Sequence, residues 1–140
     1  MRHLTSGLAL CGIVLLTVGD GWTAEPVTPI GSLLVNPSAV HRKVFKLQGV
    51  AKHVVAHSGS EIGTNQALCG AEFELEDNSG TIPVLYRVRC QVGTQRAIVV
   101  TEGMACVAEG HMEAPPTMIR TPDGKDLGFR IIAHTLTPVP

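Results

Sequence analysis

The segment Ala71–Val88, AEFELEDNSGTIPVLYRV, decides the fold of this chain. Apolar side chains alternate with glutamates before the turn residues Asp77–Gly80, and the alternation resumes from Ile82 to Val88. A period of two predicts strands with one buried face, and a cluster of Asp, Asn, Ser and Gly predicts the turn of a hairpin. The glutamates and the arginines Arg87 and Arg89 fall on the outer face, where we expect them to be cross-strand neighbours.

Three further segments show the same period of two, and they are Val44–Lys52, Met104–Met112 and Leu127–Leu136. Gly49 lies within the apolar face of the first segment, which predicts a bend or bulge in that strand. Together with the hairpin these segments make five strands. Five short strands with glycine at the bends favour a closed barrel over an open sheet.

A short helix is predicted before the first strand. Thr28 supplies a capping side chain and Pro29 a first-turn proline for a helix over Ile30–Val35, and Asn36-Pro37 ends it. Ser38–His41 predicts one further turn. The predicted fold class is therefore mainly β, a five-stranded barrel preceded by a short N-terminal helix.

Three segments are expected to connect these elements. His57–Gln66 and Pro115–Lys125 are rich in turn-forming residues and predict loops. Gln91–Thr101 is ambiguous, because a loop with a short strand through Ala97–Val100 fits its composition as well as a loop alone does.

The amino terminus has the composition of a secretory signal. A basic start precedes an uncharged apolar stretch from Leu8 to Val18, which is shorter than the roughly 20 residues of a membrane-spanning helix. We therefore expect residues 1–24 to be a signal peptide, residues 25–29 a linker and residues 30–137 the barrel domain. The expected location is periplasmic or extracellular, with an uncleaved N-terminal segment tethered to the inner membrane as the alternative.

Export would favour a disulfide between two of the cysteines Cys69, Cys90 and Cys106. A hairpin register that pairs Asp77 with Ile82 sets Cys69 opposite Cys90. A loop two residues shorter keeps the same buried faces but sets Cys69 opposite Val88, so the first register is favoured and the second stays open. We expect a Cys69–Cys90 bridge, and we expect Cys106 to be a buried free thiol on the core face of the fourth strand.

Charge and motif content argue against several functional classes. The chain has 11 basic and 12 acidic residues, so its near-neutral surface does not favour strong attraction to nucleic acid or to anionic lipid. The aromatic side chains Phe45, Phe73, Tyr86 and Phe129 fall on inward faces, which leaves no stacking platform for bases. The sequence lacks a Ser-His-Asp spacing and a phosphate-binding glycine loop, so we expect a non-enzymatic protein.

The residues nonetheless resemble a known family. Ile30-x-x-Leu33-x-x-Asn36-Pro37, the strand Val44–Val50, the hairpin Phe73–Val84 and Gly103-x-x-Cys106-x-Ala108-x-Gly110 resemble a bacterial OB-fold domain of the nucleic-acid-binding, anticodon-binding-like kind. The layout is more distantly similar to the periplasmic haem chaperone of cytochrome c maturation, which attaches haem through a histidine just after its last strand. That resemblance implies haem as a cofactor and His134 as its site.

We expect a protein or peptide partner, bound at the barrel face and mouth between the two predicted loops. A haem- or metal-handling factor is the alternative, and single-stranded nucleic-acid binding is a further one implied by the resemblance. The membrane is expected to be contacted only through the N-terminal segment. The candidate binding surface consists of Lys46, Lys52, His57, Arg87 and Arg89.

We expect no resident metal. The histidines that could nevertheless ligate one are His53, His57 and His134, and Glu61 is close enough in sequence to join the first two. His111, Met112 and Met118 form a second combination, with the soft ligands that copper accepts.

Overall fold

The computed structural model describes residues 26–115, 119–120 and 126–140. The strands are β1 Val44–Ser60, β2 Ala67–Glu76, β3 Thr81–Arg89, β4 Gln91–Val92, β5 Gln95–Arg96, β6 Ala105–Glu113, β7 Ile119–Arg120, β8 Asp126–Leu127 and β9 Arg130–Pro138. Helix α1 covers Ile30–Leu34, and a 3₁₀ turn covers Pro37–Val40. The predicted signal peptide, residues 1–24, and most of the predicted Pro115–Lys125 loop lie outside the described residues.

Five of these strands form a closed barrel in the order β1-β2-β3-β9-β6, and β6 returns to β1. The β3–β9 pair is parallel, and the other four barrel pairs are antiparallel. The prediction of a mainly β, five-stranded barrel preceded by a short helix is therefore confirmed. None of the helices in the described part of the chain is long and apolar enough to span a bilayer.

Alternating side chains of the barrel strands fill its interior. The largest fully buried side chains are those of Leu47, Leu75, Ile82, Met112 and Ile131 from the strands and Ile30 from α1. Burial of each contributes about 1.5–3 kcal/mol relative to leaving it in water. Cys106 is a free thiol in the same core and is fully buried, as predicted. Burial raises the pKa of this thiol, because the thiolate would lose its hydration there.

The β2–β3 hairpin adopts the shorter of the two open registers. Cys69 lies opposite Val88, and Asp77 N–H donates to the Gly80 carbonyl over 3.0 Å. The register that we favoured, with Asp77 opposite Ile82, is therefore wrong. The tight turn forms because the Asp77 carboxylate accepts the backbone N–H groups of Ser79 and Gly80 at 2.7 and 3.0 Å, an Asx turn closed by the side chain itself.

The predicted disulfide nevertheless forms between Cys69 and Cys90, whose Cα atoms are 4.9 Å apart. Cys90 follows the end of β3, and its N–H donates to the carbonyl of Ala67 at 2.9 Å. The bridge therefore crosses the two strands diagonally, because the residue opposite Cys69 is Val88 and Cys90 lies two residues further along the chain. The Cα separation of 4.9 Å lies within the range that a disulfide spans.

The same Asp77–Gly80 turn caps helix α1. The N–H groups of Ile30 and Gly31 donate to Asp77 Oδ2 and Ser79 Oγ at 2.9 and 2.8 Å. Thr28, which the sequence suggested as the cap, makes no cap bond, and its N–H donates to the Lys46 carbonyl instead. Tertiary acceptors thus satisfy the first helix donors in place of a local side chain.

Strand β1 contains a bulge between Lys52 and Val55, three residues beyond the predicted position at Gly49. His53 in the bulge has a positive φ of 53°, and its N–H and that of Val54 leave the ladder. Both donate to the carboxylate of Glu102 at 3.0 Å, and these two bonds hold the pKa of that carboxyl below its usual range. Gly49 serves a close approach, since a Cβ there would lie 2.5 Å from the Glu76 carbonyl oxygen.

Two loop predictions need correction. Residues His57–Ser60, predicted as the start of a loop, continue strand β1, because they pair with residues 67–70 of β2. Ala97–Val100, considered as a short strand, is not one. The strand structure in this region lies earlier, where β4 and β5 form a small hairpin with Gly93 at a φ of 60°.

Candidate functional site: the groove between β3 and β9

A groove begins where β3 and β9 separate. The two strands pair only from Val84 to Tyr86 with Ile131 to Ala133. Beyond that point both strands continue, β3 as far as Arg89 and β9 as far as Pro138. The resulting groove has a volume of about 730 Å³ and is lined by Tyr86, Val88, Arg89, Val92, Gln95, Arg96, Ala97, Ile98, His134, Thr135 and Leu136. This volume lies in the usual range of ligand pockets.

The β4–β5 hairpin and the segment after it form one wall of the groove. The hairpin is closed at its base by the Ala97 N–H, which donates to the Cys90 carbonyl at 2.9 Å. The Cys69–Cys90 disulfide ties the same base to β2. Ile98 N–H donates to the hydroxyl of the buried Tyr86 at 3.3 Å. This wall is therefore anchored to the barrel covalently at one end and by a hydrogen bond at the other.

The lining combines apolar side chains with positive charge. Val88, Val92, Ile98 and Leu136 supply apolar surface, while Arg89, Arg96 and His134 supply basic groups. Among the described residues, no Asp or Glu lines the groove. A ligand that complements this groove carries apolar groups and carboxylates.

Arg89 is partly engaged at the rim. Its Nε and Nη2 donate to the two oxygens of Glu61 at 2.8 and 3.3 Å. These hydrogen bonds lower the pKa of the Glu61 carboxyl and raise that of the Arg89 guanidinium. Arg96 is exposed at the far side of the groove, so it is the arginine whose charge is most readily offered to a ligand.

The outer face of β1 and β2 carries matched pairs of charges. Lys52 Nζ lies 2.6 Å from Glu76 Oε1, and His53 Nδ1 lies 2.7 Å from Glu74 Oε2. The side-chain bond from Lys52 lowers the pKa of the Glu76 carboxyl. The predicted cross-strand pairing of the β2 glutamates with the β3 arginines is wrong, since the shorter hairpin register sets the glutamates against Leu85, Pro83 and Thr81.

His57 continues this row. Its Nε2 is shielded from solvent and lies 3.4 Å from Glu72 Oε1, an ion-pair distance at which it makes no hydrogen bond. Glu61 pairs with Arg89 rather than with a histidine. The suggested metal trio of His53, His57 and Glu61 is therefore not brought together. In the described part of the chain, no three His, Cys, Asp or Glu side chains cluster as metal ligands.

The candidate binding surface is spread over the barrel. Of its five residues, Arg89 lines the groove. Lys46 lies opposite Glu109 on β6, and Lys52 and His57 belong to the β1–β2 face. Arg87 is exposed on β3 opposite Gly70. The structure thus brings one of the five together with Arg96, which was not among them, and with His134, which was a candidate metal and haem ligand.

His134, the residue implied by the haem-chaperone resemblance, lies at the groove edge and is exposed. Its Nε2 is 2.8 Å from Nδ1 of His111 on β6, and the two rings are stacked with centroids 4.9 Å apart. Met112, which follows His111, is fully buried in the core. Met118 lies outside the described residues.

A second concavity of about 660 Å³ lies near the start of α1, and its lining includes Val27, Gln48, Glu76 and Asp77. Both carboxylates have structural partners, Lys52 for Glu76 and the α1 backbone for Asp77. Both carboxylates of this concavity are therefore already engaged within the fold.

No protein-family model matches the chain, and a search of curated proteins finds no significant match. Function therefore has to be inferred from the residues of the site.

The groove residues that the candidate binding surface did not include are Val92, Arg96 and Ile98, and His111 was suggested only as a copper ligand with Met112 and Met118, not as a partner of His134. The first three lie in the segment that was ambiguous between loop and strand, which carried no period. His111 lies on the outer face of a predicted strand, and its meeting with His134 depends on a register shift between β6 and β9. A sequence-based pairing of β6 with β9 would predict the contact of His111 with His134 only if it included a one-residue bulge.

Proposed function

We propose that this chain is an exported, non-enzymatic binding module of the OB-fold kind, and that the β3–β9 groove takes an extended acidic segment of a partner protein. The observation that carries the proposal is a strand edge inside a basic, partly apolar groove. Arg87–Arg89 pairs with β2 on one side, and within the described residues no strand pairs with its other side.

An unpaired strand edge favours an extended peptide as the ligand. Each residue of Arg87–Arg89 has a backbone N–H donor and a backbone C=O acceptor. An added strand can form hydrogen bonds with the N–H and C=O groups that point away from β2. Strand addition of this kind gives affinity through the backbone, while alternate side chains enter pockets and give specificity. The groove supplies an apolar surface for one set of side chains and guanidinium groups for the other.

Charge favours an acidic segment over a neutral one. A charge-assisted hydrogen bond contributes about 1.5–3 kcal/mol, roughly tenfold or more in affinity. Arg96 is exposed and available for such a bond, and Arg89 can exchange Glu61 for a ligand carboxylate. On the neighbouring β1–β2 face Lys52 and His53 already have a carboxylate oxygen at 2.6 and 2.7 Å, which makes that face a weaker candidate.

The disulfide supports export, because such bonds persist in oxidising compartments. The five-stranded barrel supports the OB-fold assignment, since that fold is a barrel of five strands. The aromatic side chains of the described residues, Phe45, Phe73, Tyr86 and Phe129, lie in the core or pack against it. Single-strand binding, which relies on exposed aromatic rings, therefore has less support than peptide binding.

Peptide selection tests the proposal. Random dodecapeptides displayed on phage are selected against the oxidised intact chain, and an enriched peptide is labelled with fluorescein for anisotropy titration. We expect enriched peptides to alternate acidic and apolar residues. Arg96→Glu should weaken binding at least tenfold, while the control Lys43→Glu, an exposed lysine just before β1 that does not line the groove, should change it less than twofold.

Two outcomes would overturn the proposal: no enrichment, or equal effects of Arg96→Glu and Lys43→Glu. A labelled dT oligonucleotide titrated in parallel should not bind at 150 mM salt. Binding of that oligonucleotide with loss on Arg96→Glu would replace the peptide with a nucleic acid as the ligand.

The haem-handling alternative rests on the exposed position of His134 at the groove edge. Its test is the absorbance spectrum of haemin with the intact chain. A Soret shift that disappears in His134→Ala would support it, and an unchanged spectrum would remove it.

A further inference from the structure

The His111–His134 pair, which the proposed groove does not explain, joins two neighbouring strands on the outside of the barrel. His111 Nδ1 and His134 Nε2 are 2.8 Å apart, and the ring planes are inclined by 28°. At this distance one nitrogen donates its proton and the other accepts it. Two imidazole nitrogens therefore converge on one point at a surface open to solvent.

The register between β6 and β9 creates this convergence. Gly110 lies opposite Ala133 while Glu109 lies opposite Thr135, so His134 is an extra residue between the two pairs. The strands approach very closely at this bulge, because a Cβ on Gly110 would be 1.9 Å from the carbonyl oxygen of Ile132. The two histidines are held by a backbone irregularity of the barrel, a more precise support than a loop.

The distance between the nitrogens fits a particular metal geometry. Metal–imidazole bonds of about 2.0–2.1 Å place two nitrogens about 2.9 Å apart when they are at 90°, and about 3.3 Å apart at a tetrahedral angle. The observed 2.8 Å is the length of the present hydrogen bond, and the rings need to move less to reach the first separation than the second. Adjacent positions at 90° belong to the tetragonal coordination of Cu²⁺ and Ni²⁺, whereas Zn²⁺ sites are tetrahedral.

We propose that His111 Nδ1 and His134 Nε2 form a two-histidine chelate for a tetragonal divalent transition metal, with Cu²⁺ preferred. The proton now shared between these nitrogens moves to the other nitrogen of its ring, so that both rings bind in the neutral form. No third His, Cys, Asp or Glu of the described chain joins the pair. Water then fills the remaining positions, which leaves them open to exchange with an added ligand.

Copper titration of the intact chain tests this site. His3 lies next to the amino terminus and could add nitrogen ligands, so every protein in the series carries His3→Ala. We expect the electron paramagnetic resonance spectrum of one equivalent of Cu²⁺ to show hyperfine coupling to two nitrogens. Binding should be tightest for Cu²⁺ and weaker for Ni²⁺ and Zn²⁺, since the tetragonal geometry adds to the general preference for copper.

Variants identify the ligands. His111→Gln and His134→Gln should each weaken Cu²⁺ binding at least tenfold and remove one nitrogen coupling. The matched control is His53→Gln, because His53 is 78% exposed and has a carboxylate beside it on another face. A thermal melt without metal checks that the variants fold.

Two results would overturn the proposal. One is a wild-type spectrum without two-nitrogen coupling, and the other is Cu²⁺ affinity that survives both glutamine substitutions or falls equally with His53→Gln. The proposal does not rest on peptide binding, because the copper titration contains no peptide and His111 lies outside the groove lining. His134 does line the groove, so His111→Gln is the variant that separates metal binding from peptide binding.

Discussion

Removal of the Cys69–Cys90 disulfide should destabilise the protein by an amount that follows from the loop it closes. The bridge joins residues 21 positions apart. The chain-entropy relation for a loop of this length assigns about 3.3 kcal/mol at 25 °C to the restriction of the unfolded chain. Against the 5–15 kcal/mol total of a typical domain this is a large loss, and it corresponds to a fall in Tm of roughly 15 °C.

The variant is Cys69→Ala with Cys90→Ala, and the assay is urea unfolding followed by circular dichroism. We expect the midpoint to fall. The m value should rise, because the freed unfolded chain exposes more surface. Reduction of the wild-type protein should reproduce the loss. Cys106→Ala is the control for removal of a cysteine as such, since this thiol is buried and free.

The same experiment separates an effect on the unfolded chain from an effect on the groove. The disulfide lies at the base of the β4–β5 hairpin, where Cys90 N–H donates to Ala67 and Ala97 N–H donates to Cys90. If the bridge anchors this wall, hydrogen exchange at Cys90 and Ala97 should accelerate more than the global loss explains. A stability loss below 1 kcal/mol would refute the loop-closure reasoning. Exchange at Ala97 that merely follows global unfolding would refute the anchoring.

Further predictions concern the close approach, the turn and the bulge. Gly110→Ala should destabilise by about 1–3 kcal/mol in thermal unfolding because its Cβ meets the Ile132 carbonyl, whereas Gly128→Ala, with open space around it, should be nearly neutral; equal effects would contradict this. Burial alone raises the pKa of the Asp77 carboxyl, but three backbone N–H donors outweigh it and hold that pKa below its usual range. A lowered folded-state pKa stabilises above the unfolded value, and this contribution is lost as the pH falls below about 4. Asp77→Asn should therefore cost about 1 kcal/mol at pH 7 after allowance for exposure and flatten the acid limb of the stability profile; an unchanged limb would exclude this role. Glu102→Ala should speed exchange of the two bulge N–H groups that its carboxylate accepts, while exchange in β3 stays unchanged.

The fold was predictable from sequence because its strands are half buried. In β2 and β3 every second side chain enters the core, so the period of two is directly readable. The same property explains the error in register. Shifting a hairpin by two residues leaves the same side chains on each face, so the period of two does not distinguish the two registers. The shorter register is the one in which the Asp77 carboxylate accepts the N–H groups of Ser79 and Gly80.

The site was less predictable because it depends on irregularity. The groove exists where the β3–β9 pairing stops, and the histidine pair exists where β6 and β9 slip by one residue. Neither event has a periodic signature. The hairpin that carries Arg96 has strands of only two residues, too short for any pattern to predict. The basic residues on regular strands were easy to select as a binding surface. In the structure most of them lie beside carboxylates of neighbouring strands or loops.

The buried thiol of Cys106 has a consequence for how the chain acquires its bridge. In the unfolded state Cys90 is nearer in sequence to Cys106 than to Cys69, and chain statistics favour that incorrect pair by only about 0.2 kcal/mol. Loop closure therefore does not select the native partner. Selection falls to the β2–β3 hairpin, which sets Cys69 beside Cys90, and to barrel closure, which removes Cys106 from reach. A chain oxidised before the hairpin forms would be trapped with Cys106 in the wrong disulfide, and only thiol exchange could release it.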